Sequence, residues 1–366
     1  MPTLHVAIAV LAGTTGGPAS YGVRLVRELA RRGDLRLAVI TDRPARFEGH
    51  DVVLHELPMR GGLDRLRWQY WALPRLLRRL RPDVYHDTKN ALPFGLSIPQ
   101  IVTVHDLAYH VAPETFGFLS RRFLIAATAH ATKRAAAIVV PSRATADDLC
   151  RIHPRSAGKV HVVPHGIDPA PRLARTAIAE VAARLHLPRD YVLHVGTVQP
   201  RKNVHLVVDG VRRLRARFPA LRALLVGRRG WLAGEAMRTI DADDTAVWLP
   251  HVAEADLPAV YAGARAFVSP SAYEGFGMAV GDALAAGVPT VVSRLGSLPE
   301  LCGDAAIQLA ELSGAAVAAA LEAVLGDPTR ANDLGAAGRD RAARFDWAAS
   351  AAGHVAAYEA ARRSPS

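Results

Sequence analysis

The chain has 366 residues, of which 50% are hydrophobic and 22% charged, and its formal net charge is +11. This length predicts two domains of roughly 150–200 residues. No apolar run approaches the ~20 residues of a membrane span, and the start MPT lacks the charged region of a secretory signal. We therefore expect a cytoplasmic protein. The positive charge favours anionic partners, but no nucleic-acid-binding module is recognisable, so nucleic acid is not expected as a partner.

Short apolar strands alternate with helical patterns along the whole chain, which is typical of doubly wound α/β sheets. Prolines and a glycine interrupt this alternation at residues 164–176, where we place a linker. The sequence therefore predicts two Rossmann-like doubly wound domains that face each other across a cleft. We expect an N-terminal domain at 1–168 and a C-terminal domain at 176–345. Ligands of such sheets bind outside the carboxyl ends of the strands.

Two features of the N-terminal half follow predicted strands. Gly16 and Gly17 lie between the first strand and the first helix, where they form either a loop that a ligand can approach or a plain turn. They lack the GxGxxG spacing of a dinucleotide fingerprint. His105 ends the strand QIVTVHD, where it is either structural or a hydrogen-bonding group for a sugar hydroxyl.

A basic amphipathic segment, LPRLLRRLRPD at residues 73–83, has two readings. It either covers the sheet with its basic face in water or docks on anionic lipid headgroups. The first reading is favoured, and contact with an anionic membrane surface is left open.

Two cations follow the first strand of the C-terminal half. Arg201 and Lys202 come after YVLHVGT and precede a helix that we expect Asn203 to cap. Charge-assisted hydrogen bonds from such a pair could hold a diphosphate. The alternative is two exposed basic residues in a basic protein.

A glycine-rich turn follows a later strand of the same half. Gly275 and Gly277 allow a ligand to approach the backbone, and the next helix directs its N-terminal amides at an anion. Glu274 and Asp282 would accept hydrogen bonds from hydroxyl groups on either side of it. A nucleotide sugar fits this layout, and the alternative is an ordinary turn with solvated or capping acids. The pattern DADD at 241–244 is expected to be a solvated turn, and no metal site is predicted.

The segment PSAYEGFGMAVGDALAAGVPTVVS resembles the signature of family 4 of the retaining glycosyltransferases, which have the GT-B fold. The segments VHD, VVPHGID, VGTVQPRKN and LPELCGDAAI also fall in the expected order and spacing along the chain. The resemblance covers nearly the whole chain. It also implies that a C-terminal helix, at about 346–366, returns to complete the N-terminal domain.

The resemblance implies a role for each matching residue. Glu274 would bind hydroxyls of the donor sugar, and Arg201 and Lys202 would hold the diphosphate as it leaves. His105 would face the donor sugar. The other donor-site positions are the backbone amides of Phe276, Gly277 and Met278, the neighbouring Gly275, the loop at Gly16 and Gly17, and Asp282. Asp282 stands where the family has a second Glu for the ribose, and it is one methylene shorter.

The implied activity is transfer of a hexose from a nucleoside-diphosphate sugar to a saccharide, lipid-linked or small-molecule acceptor, with retention at the anomeric carbon. No bound cofactor and no metal are implied. GDP-mannose is the preferred guess for the donor, although Gln199 replaces the usual acid before PRKN. A sugar-nucleotide epimerase of the same fold and a catalytically decayed nucleotide- or membrane-binding module are the alternatives.

Overall fold

The computed structural model describes residues 3–11, 17–57 and 67–363. The chain divides into two compact units. Unit 1 comprises residues 1–107, 122–166 and 346–366, and unit 2 comprises residues 108–121 and 167–345.

Residues 108–121, which the sequence placed in the N-terminal domain, group with unit 2 instead. The Trp231 indole Nε1 donates to the Thr115 carbonyl at 2.8 Å, and its ring lies 5.5 Å from that of Phe116. Ile167 also belongs to unit 2, where its amide donates to the Phe345 carbonyl at 2.6 Å. These contacts join segments that are more than a hundred residues apart in the sequence, so local patterns did not indicate them.

The described part of unit 1 is built on a seven-stranded parallel sheet with the order β3-β2-β1-β4-β5-β6-β7. Its strands are β1 Leu4–Val10, β2 Leu35–Thr41, β3 Val53–Glu56, β4 Val84–Asp87, β5 Gln100–Thr103, β6 Ala137–Val140 and β7 Val160–Val162. The helices in this part of the sequence are α1 Gly17–Arg31, α2 Leu73–Leu80, α3 Ala108–Val111, α4 Phe118–Arg134 and α5 Arg143–Ile152. A π-helical turn, Trp68–Ala72, precedes α2.

The described part of unit 2 contains a six-stranded parallel sheet with the order β10-β9-β8-β11-β12-β13. The strands are β8 Asp190–Val195, β9 Leu221–Val226, β10 Ala246–Leu249, β11 Ala266–Ser269, β12 Thr290–Val292 and β13 Ile307–Gln308. The helices are α6 Arg175–Arg184, α7 Val204–Arg213, α8 Gly234–Ala242, α9 Leu257–Ala262, α10 Met278–Ala285, α11 Leu298–Cys302, α12 Gly314–Leu325 and α13 Pro328–Ala342.

Both faces of the unit 2 sheet are covered. Val192 and Leu193 are adjacent on β8, are fully buried, and pack into two different hydrophobic clusters. Successive strand side chains point to opposite faces, so each face carries its own core. This explains why the strands read as continuous apolar runs rather than as alternating patterns. The fold is therefore α/β with two doubly wound parallel sheets, as the sequence predicts.

The C-terminal helix α14, Trp347–Arg363, joins the core of unit 1 through a buried polar chain. Tyr21 Oη lies 2.7 Å from His354 Nε2 and 3.0 Å from Thr103 Oγ1. His86 links Thr103 Oγ1, at 2.8 Å, to the Tyr358 hydroxyl, at 2.9 Å. His354 Nδ1 must donate to the Ser350 carbonyl, because a carbonyl only accepts. When both imidazoles are neutral, this donor determines which group donates in each of the other hydrogen bonds of this buried series.

Within the three described ranges, no helix is both long enough and apolar enough to cross a lipid bilayer.

Candidate active site

The strand order of unit 2 defines where a ligand should bind. Counted along this unit, the order is 3-2-1-4-5-6, and the connections change direction between β8 and β11. Such a switch point opens a crevice at the carboxyl ends of the two strands. Arg201 and Lys202 follow β8, and Glu274 follows β11. The topology therefore brings these residues to one place.

Hydrogen bonds connect the turn after β8 to the loop after β11. Residues Pro200–Lys202 form a 3-10 turn, and the Arg201 carbonyl accepts a hydrogen bond from the Ala272 amide at 2.8 Å. Asn203 has a left-handed backbone with φ 49 and makes no side-chain cap for α7. Its amide Nδ2 instead donates to the Pro270 carbonyl at 2.9 Å. The expected helix cap is thus wrong, because this side chain crosslinks the two loops.

Both cations contact the same carboxylate. Arg201 Nη1 lies 3.3 Å from Glu274 Oε2, and Lys202 Nζ donates to Glu274 Oε1. The Arg201 guanidinium also donates to the Tyr273 carbonyl. Glu274 is 8% exposed and Arg201 is 9% exposed. The three side chains predicted from two separate motifs therefore form one buried ionic cluster.

The charge of Glu274 is set by this cluster. Burial alone would raise the pKa of its carboxyl group, but Lys202, Arg201 and a hydrogen bond with Ser271 lower that pKa to about 2. Opposite charges and hydrogen bonds to the carboxylate favour the ionised form. Glu274 is therefore an anion and a hydrogen-bond acceptor throughout the physiological pH range.

The loop after β12 contacts the backbone of Glu274 at two points. The Ser297 amide donates to the Glu274 carbonyl at 3.0 Å. Gly296 has φ +61, and a Cβ atom there would lie 2.5 Å from the Glu274 carbonyl oxygen. Only glycine allows this approach in this conformation. The loop after β12 thus determines where the Glu274 side chain begins.

The glycine turn leads directly into α10. Gly277 has φ 95 and occupies the N-cap position, and Met278 is the first residue of the helix. Gly275 and Phe276 are buried, and the Phe276 ring packs edge-on against Phe345 at 5.8 Å. Asp282 lies half-buried in α10, four residues after the helix begins. The predicted backbone donors therefore stand at a helix N-terminus, and Asp282 lies one turn beyond it.

His105 lies in unit 1, in the segment that follows β5. Its Nε2 is 2.8 Å from the Thr88 carbonyl oxygen and must carry a proton to make this bond. Burial lowers the pKa of His105 to about 4, so the ring is neutral and Nδ1 is an acceptor. The Tyr21 ring packs edge-on at 4.9 Å. His86 is different, because both of its nitrogens bind within the buried chain described above.

The remaining sequence predictions concern the first glycine loop, the DADD segment and a metal site. Gly16 lies outside the described residues, and Gly17 is the first residue of α1. In the DADD segment, Asp243 accepts from the Thr245 amide at 2.9 Å and Asp244 pairs with Arg215 at 2.6 Å. Among the described residues, no three His, Cys, Asp or Glu side chains group as a metal site would require.

Sequence reasoning missed two polar residues of the cluster. Ser271 is fully buried and bonds the Glu274 carboxylate. His194 is 1% exposed, lies near the end of β8, and interacts electrostatically with Lys202 and Glu274. Both positions come at the carboxyl ends of strands, and this placement is the signal that could have identified them.

Comparisons with known proteins agree with this architecture. The family model for Glycosyltransferase Family 4 matches residues 15–171, and the model for Glycosyl transferases group 1 matches residues 189–327. The chain is 29% identical over 290 residues to O-antigen chain mannosyltransferase B of Escherichia coli, covering 77% of this chain and 74% of the relative. It is also 29% identical over 305 residues to glycogen synthase of Mycobacterium tuberculosis, covering 78% and 70% respectively.

Two solved structures have a similar fold. Anabaena HepE in complex with UDP-glucose gives a TM-score of 0.79 at 17% identity, covering 96% of this chain and 99% of that chain. WaaG, a glycosyltransferase involved in lipopolysaccharide biosynthesis, gives 0.75 at 18% identity, covering 96% and 98%. The chain belongs to the family 4 glycosyltransferases with the GT-B fold, and it is a transferase enzyme.

Proposed function

We propose that this enzyme transfers a hexose, with retention at the anomeric carbon, from a nucleoside-diphosphate sugar to a hydroxyl of an acceptor. The observation that carries the proposal is the cluster of Arg201, Lys202 and Glu274 at the switch point of the unit 2 sheet. Two cations beside one carboxylate suit a ligand that joins an anionic diphosphate to a polyol. The amides at the start of α10 add donors for the phosphates.

We assign the groups of the donor to these residues as follows. Arg201 and Lys202 bind the diphosphate, and Glu274 accepts hydrogen bonds from hydroxyls of the sugar. Asp282 binds the ribose. The ion pairs with Glu274 compensate the buried charges of these side chains. Ligand binding would exchange these ion pairs for phosphate and hydroxyl partners, so that no buried charge is left unpaired.

We propose mannose as the transferred sugar and GDP-mannose as the donor. The support is the PRKN motif at residues 200–203 and the similarity to a relative named as a mannosyltransferase. The same chain is similar to a glycogen synthase, so the donor assay must compare GDP-mannose with glucose nucleotides.

The proposed chemistry is a front-face substitution. The acceptor oxygen forms a bond to the anomeric carbon while the bond from that carbon to the β-phosphate oxygen breaks. The departing phosphate takes the proton of the acceptor hydroxyl. Arg201 and Lys202 stabilise the negative charge that develops on this phosphate. Glu274 is a weak base because its pKa is about 2, so we assign it hydroxyl binding rather than nucleophilic attack.

His105 has the geometry of a hydroxyl acceptor within unit 1. Its Nε2 proton is committed to the Thr88 carbonyl, and the neutral ring leaves Nδ1 as the acceptor. We propose that Nδ1 receives a hydrogen bond from a hydroxyl of the donor sugar.

A panel assay tests the donor assignment. A ligand that binds the folded protein at a hundred times its Kd adds about 2.7 kcal/mol to the free energy of unfolding. We expect GDP-mannose to raise the melting temperature more than UDP-glucose, UDP-galactose or ADP-glucose. Incubation with saccharide and lipid-linked acceptors should then release GDP and yield an α-linked product. No stabilisation by any sugar nucleotide would contradict the proposal, and sugar interconversion without an acceptor would favour the epimerase.

We further propose that unit 1 contacts an anionic membrane, as a lipid-linked acceptor would require. Trp71 is 66% exposed and Phe94 is 56% exposed. Phe94 stacks on Tyr70 at 5.1 Å and lies 4.1 Å from the ring of His130. Phe123, which is 56% exposed, is two turns before His130 on the same face of α4. These exposed aromatic residues form what we call the aromatic face.

In the two segments that contain Trp71 and Phe123, every Asp, Glu, Lys or Arg position is basic. No acidic residue occurs in 67–82 or in 118–134, and these segments contain nine Arg and Lys residues. Aromatic rings beside basic groups suit the interface of an anionic bilayer. We expect the protein to sediment with phosphatidylglycerol vesicles but not with phosphatidylcholine vesicles, and we expect the Trp71→Ser and Phe123→Ser variants to lose this binding. Equal recovery of these variants would contradict the proposed membrane contact.

A further inference from the structure

His194 is a buried histidine beside the ionic cluster, and the function proposed above gives it no role. It lies near the carboxyl end of β8 and is 1% exposed. Its Nδ1 lies 2.9 Å from the Val268 carbonyl oxygen of β11. Because a carbonyl only accepts, Nδ1 carries the proton. Burial lowers the pKa of His194 to about 4, so the ring is neutral and Nε2 is an acceptor.

Nε2 has no hydrogen-bond partner among the described residues, although it is fully buried. An unpaired buried acceptor destabilises a folded protein, and a catalytic or binding role is one of the explanations for such an atom. The position of Nε2 indicates which group it could meet. A methyl group placed on Gly196 would lie 3.4 Å from Nε2 and 3.7 Å from Cε of Lys202. Nε2 and the end of the Lys202 side chain therefore border the same small space above Gly196.

We propose that His194 is a positioning residue for Lys202 in the donor-bound enzyme. In the structure, Lys202 Nζ donates to Glu274. When hydroxyls of the donor sugar occupy Glu274, the Lys202 ammonium turns toward the diphosphate and donates one of its three hydrogens to His194 Nε2. This second acceptor holds the ammonium beside the phosphate that will leave. The inference rests on the proposed function, since it requires a ligand with both a sugar and a diphosphate.

Two substitutions distinguish the contributions of the two ring nitrogens of His194. In His194→Asn, the amide nitrogen can take the place of Nδ1 and keep the bond to the Val268 carbonyl, but no acceptor remains at the Nε2 position. In His194→Gln, the longer amide places an oxygen near the Nε2 position. We expect His194→Asn to weaken binding of GDP-mannose about tenfold by calorimetry, while binding of GDP changes less than twofold. His194→Gln should recover most of the loss, and kcat should follow the same order.

A double-mutant cycle distinguishes the proposed positioning role of His194 from a purely structural one. Once Lys202→Met removes the ammonium, we expect His194→Asn to cause no further loss of GDP-mannose binding. Equal losses for GDP and GDP-mannose, wild-type behaviour of His194→Asn, or a full additional loss in the Lys202→Met background would each overturn the proposal. If His194→Asn does not fold, His194→Leu, which also lacks an acceptor at the Nε2 position, is tested alone and combined with Lys202→Met, and an additive loss would again overturn the proposal.

The wild-type titration separates this inference from the function on which it rests. If the wild-type protein binds no sugar nucleotide, the proposed function fails and the role of His194 fails with it. If the wild-type protein binds GDP-mannose and the cycle is additive, only the role of His194 is overturned.

Discussion

At the residue scale, the Glu274 carboxylate has two cationic partners. A buried charge that loses its partner is costly, at about 3–5 kcal/mol when one member of a pair is removed. Under the proposed function, a donor would therefore displace these ion pairs only if it offered both an anion and hydrogen-bond donors. A nucleoside diphosphate without its sugar meets only half of this requirement, which favours the complete sugar nucleotide.

Removing the ammonium of Lys202 tests its proposed role in stabilising the departing phosphate. We expect Lys202→Ala to lower kcat roughly 10²-fold, as for the loss of one electrostatic stabiliser. The protein should remain folded, because Arg201 and Ser271 still bind Glu274. Arg330→Ala, which removes an exposed cation of the same unit, is the control and should retain full activity. A near-normal rate for Lys202→Ala would exclude Lys202 from the mechanism.

The shorter carboxylate at position 282 gives a second prediction. If Asp282 binds the ribose, Asp282→Glu should leave the Kd of the donor unchanged or lower it, because the longer side chain reaches the same hydroxyls. Asp282→Ala should raise the Kd by roughly tenfold or more, since a hydrogen bond to a charged group contributes ~1.5–3 kcal/mol. Calorimetric titration measures both values. Sharply weaker binding by Asp282→Glu would argue against a ribose contact.

The sequence predicted Arg201, Lys202 and Glu274 as site residues but not their mutual pairing. Their position after strands was visible as a pattern, and parallel strands bring such positions to one edge. The pairing depends on side-chain geometry across 72 or 73 residues of sequence, which no local pattern encodes. Ser271 and His194 were missed because their burial, rather than their residue type, makes them informative.

At the element scale, the loop after β12 supports the loop after β11 that carries Glu274. Gly296 and Ser297 contact the backbone of Glu274 directly. Neither contact could be predicted, because Gly296 and Ser297 lie between the two recognised motifs and their approach to Glu274 depends on tertiary packing. The strands and the switch point could be predicted, since they follow from apolar runs and from the alternation of strands with helices.

Gly296→Ala tests this support. The new Cβ would lie 2.5 Å from the Glu274 carbonyl oxygen and 2.9 Å from its amide nitrogen, at φ +61. We expect a loss of more than about 2 kcal/mol in the free energy of unfolding, because backbone atoms would have to move. The measurement is urea-induced unfolding. Gly234→Ala meets only the end of the Arg238 side chain, at 3.8 Å, and should be neutral. Equal stability of the two variants would contradict the tight approach.

At the scale of the whole molecule, several buried histidines make stability depend on pH. Burial lowers the pKa of each, to about 4 for three of them. These three are His105, His194 and His354, and the pKa values of His86 and His165 lie well below 6.5. The ordinary value is 6.5, so the unfolded chain binds more protons between pH 6.5 and 4. Their contribution is therefore complete above pH 6.5 and is lost as the pH falls toward 4.

We expect the midpoint of urea unfolding to fall steeply between about pH 6.5 and 4.5. Each such histidine can contribute up to about 1.4 kcal/mol per pH unit in this window. Glu274 affects the free energy of unfolding at lower pH, between the ordinary pKa of its carboxyl group, 4.5, and its pKa in the folded protein, about 2. His251→Gln, which changes an exposed histidine, should leave the decline unaltered. A flat midpoint from about pH 7 to 5 would contradict the buried, neutral state of these rings.

The division into two units was only partly visible in the sequence. The interruption at residues 164–176 indicated a boundary there, and the chain passes between the units after Gly166. Residues 108–121 could not be assigned from the sequence, because their contacts with Trp231 connect distant segments. Chain order alone favours contiguous domains, whereas packing decides the assignment.

The central claim is that Arg201, Lys202 and Glu274 together hold a nucleoside-diphosphate sugar at the ends of β8 and β11. A crystal structure of the enzyme with GDP-mannose, or with the donor that the panel identifies, tests it most directly. We expect the Arg201 and Lys202 nitrogens within about 3.2 Å of diphosphate oxygens and a Glu274 oxygen at a similar distance from a sugar hydroxyl. A diphosphate bound elsewhere, with the Lys202–Glu274 ion pair intact, would contradict the claim.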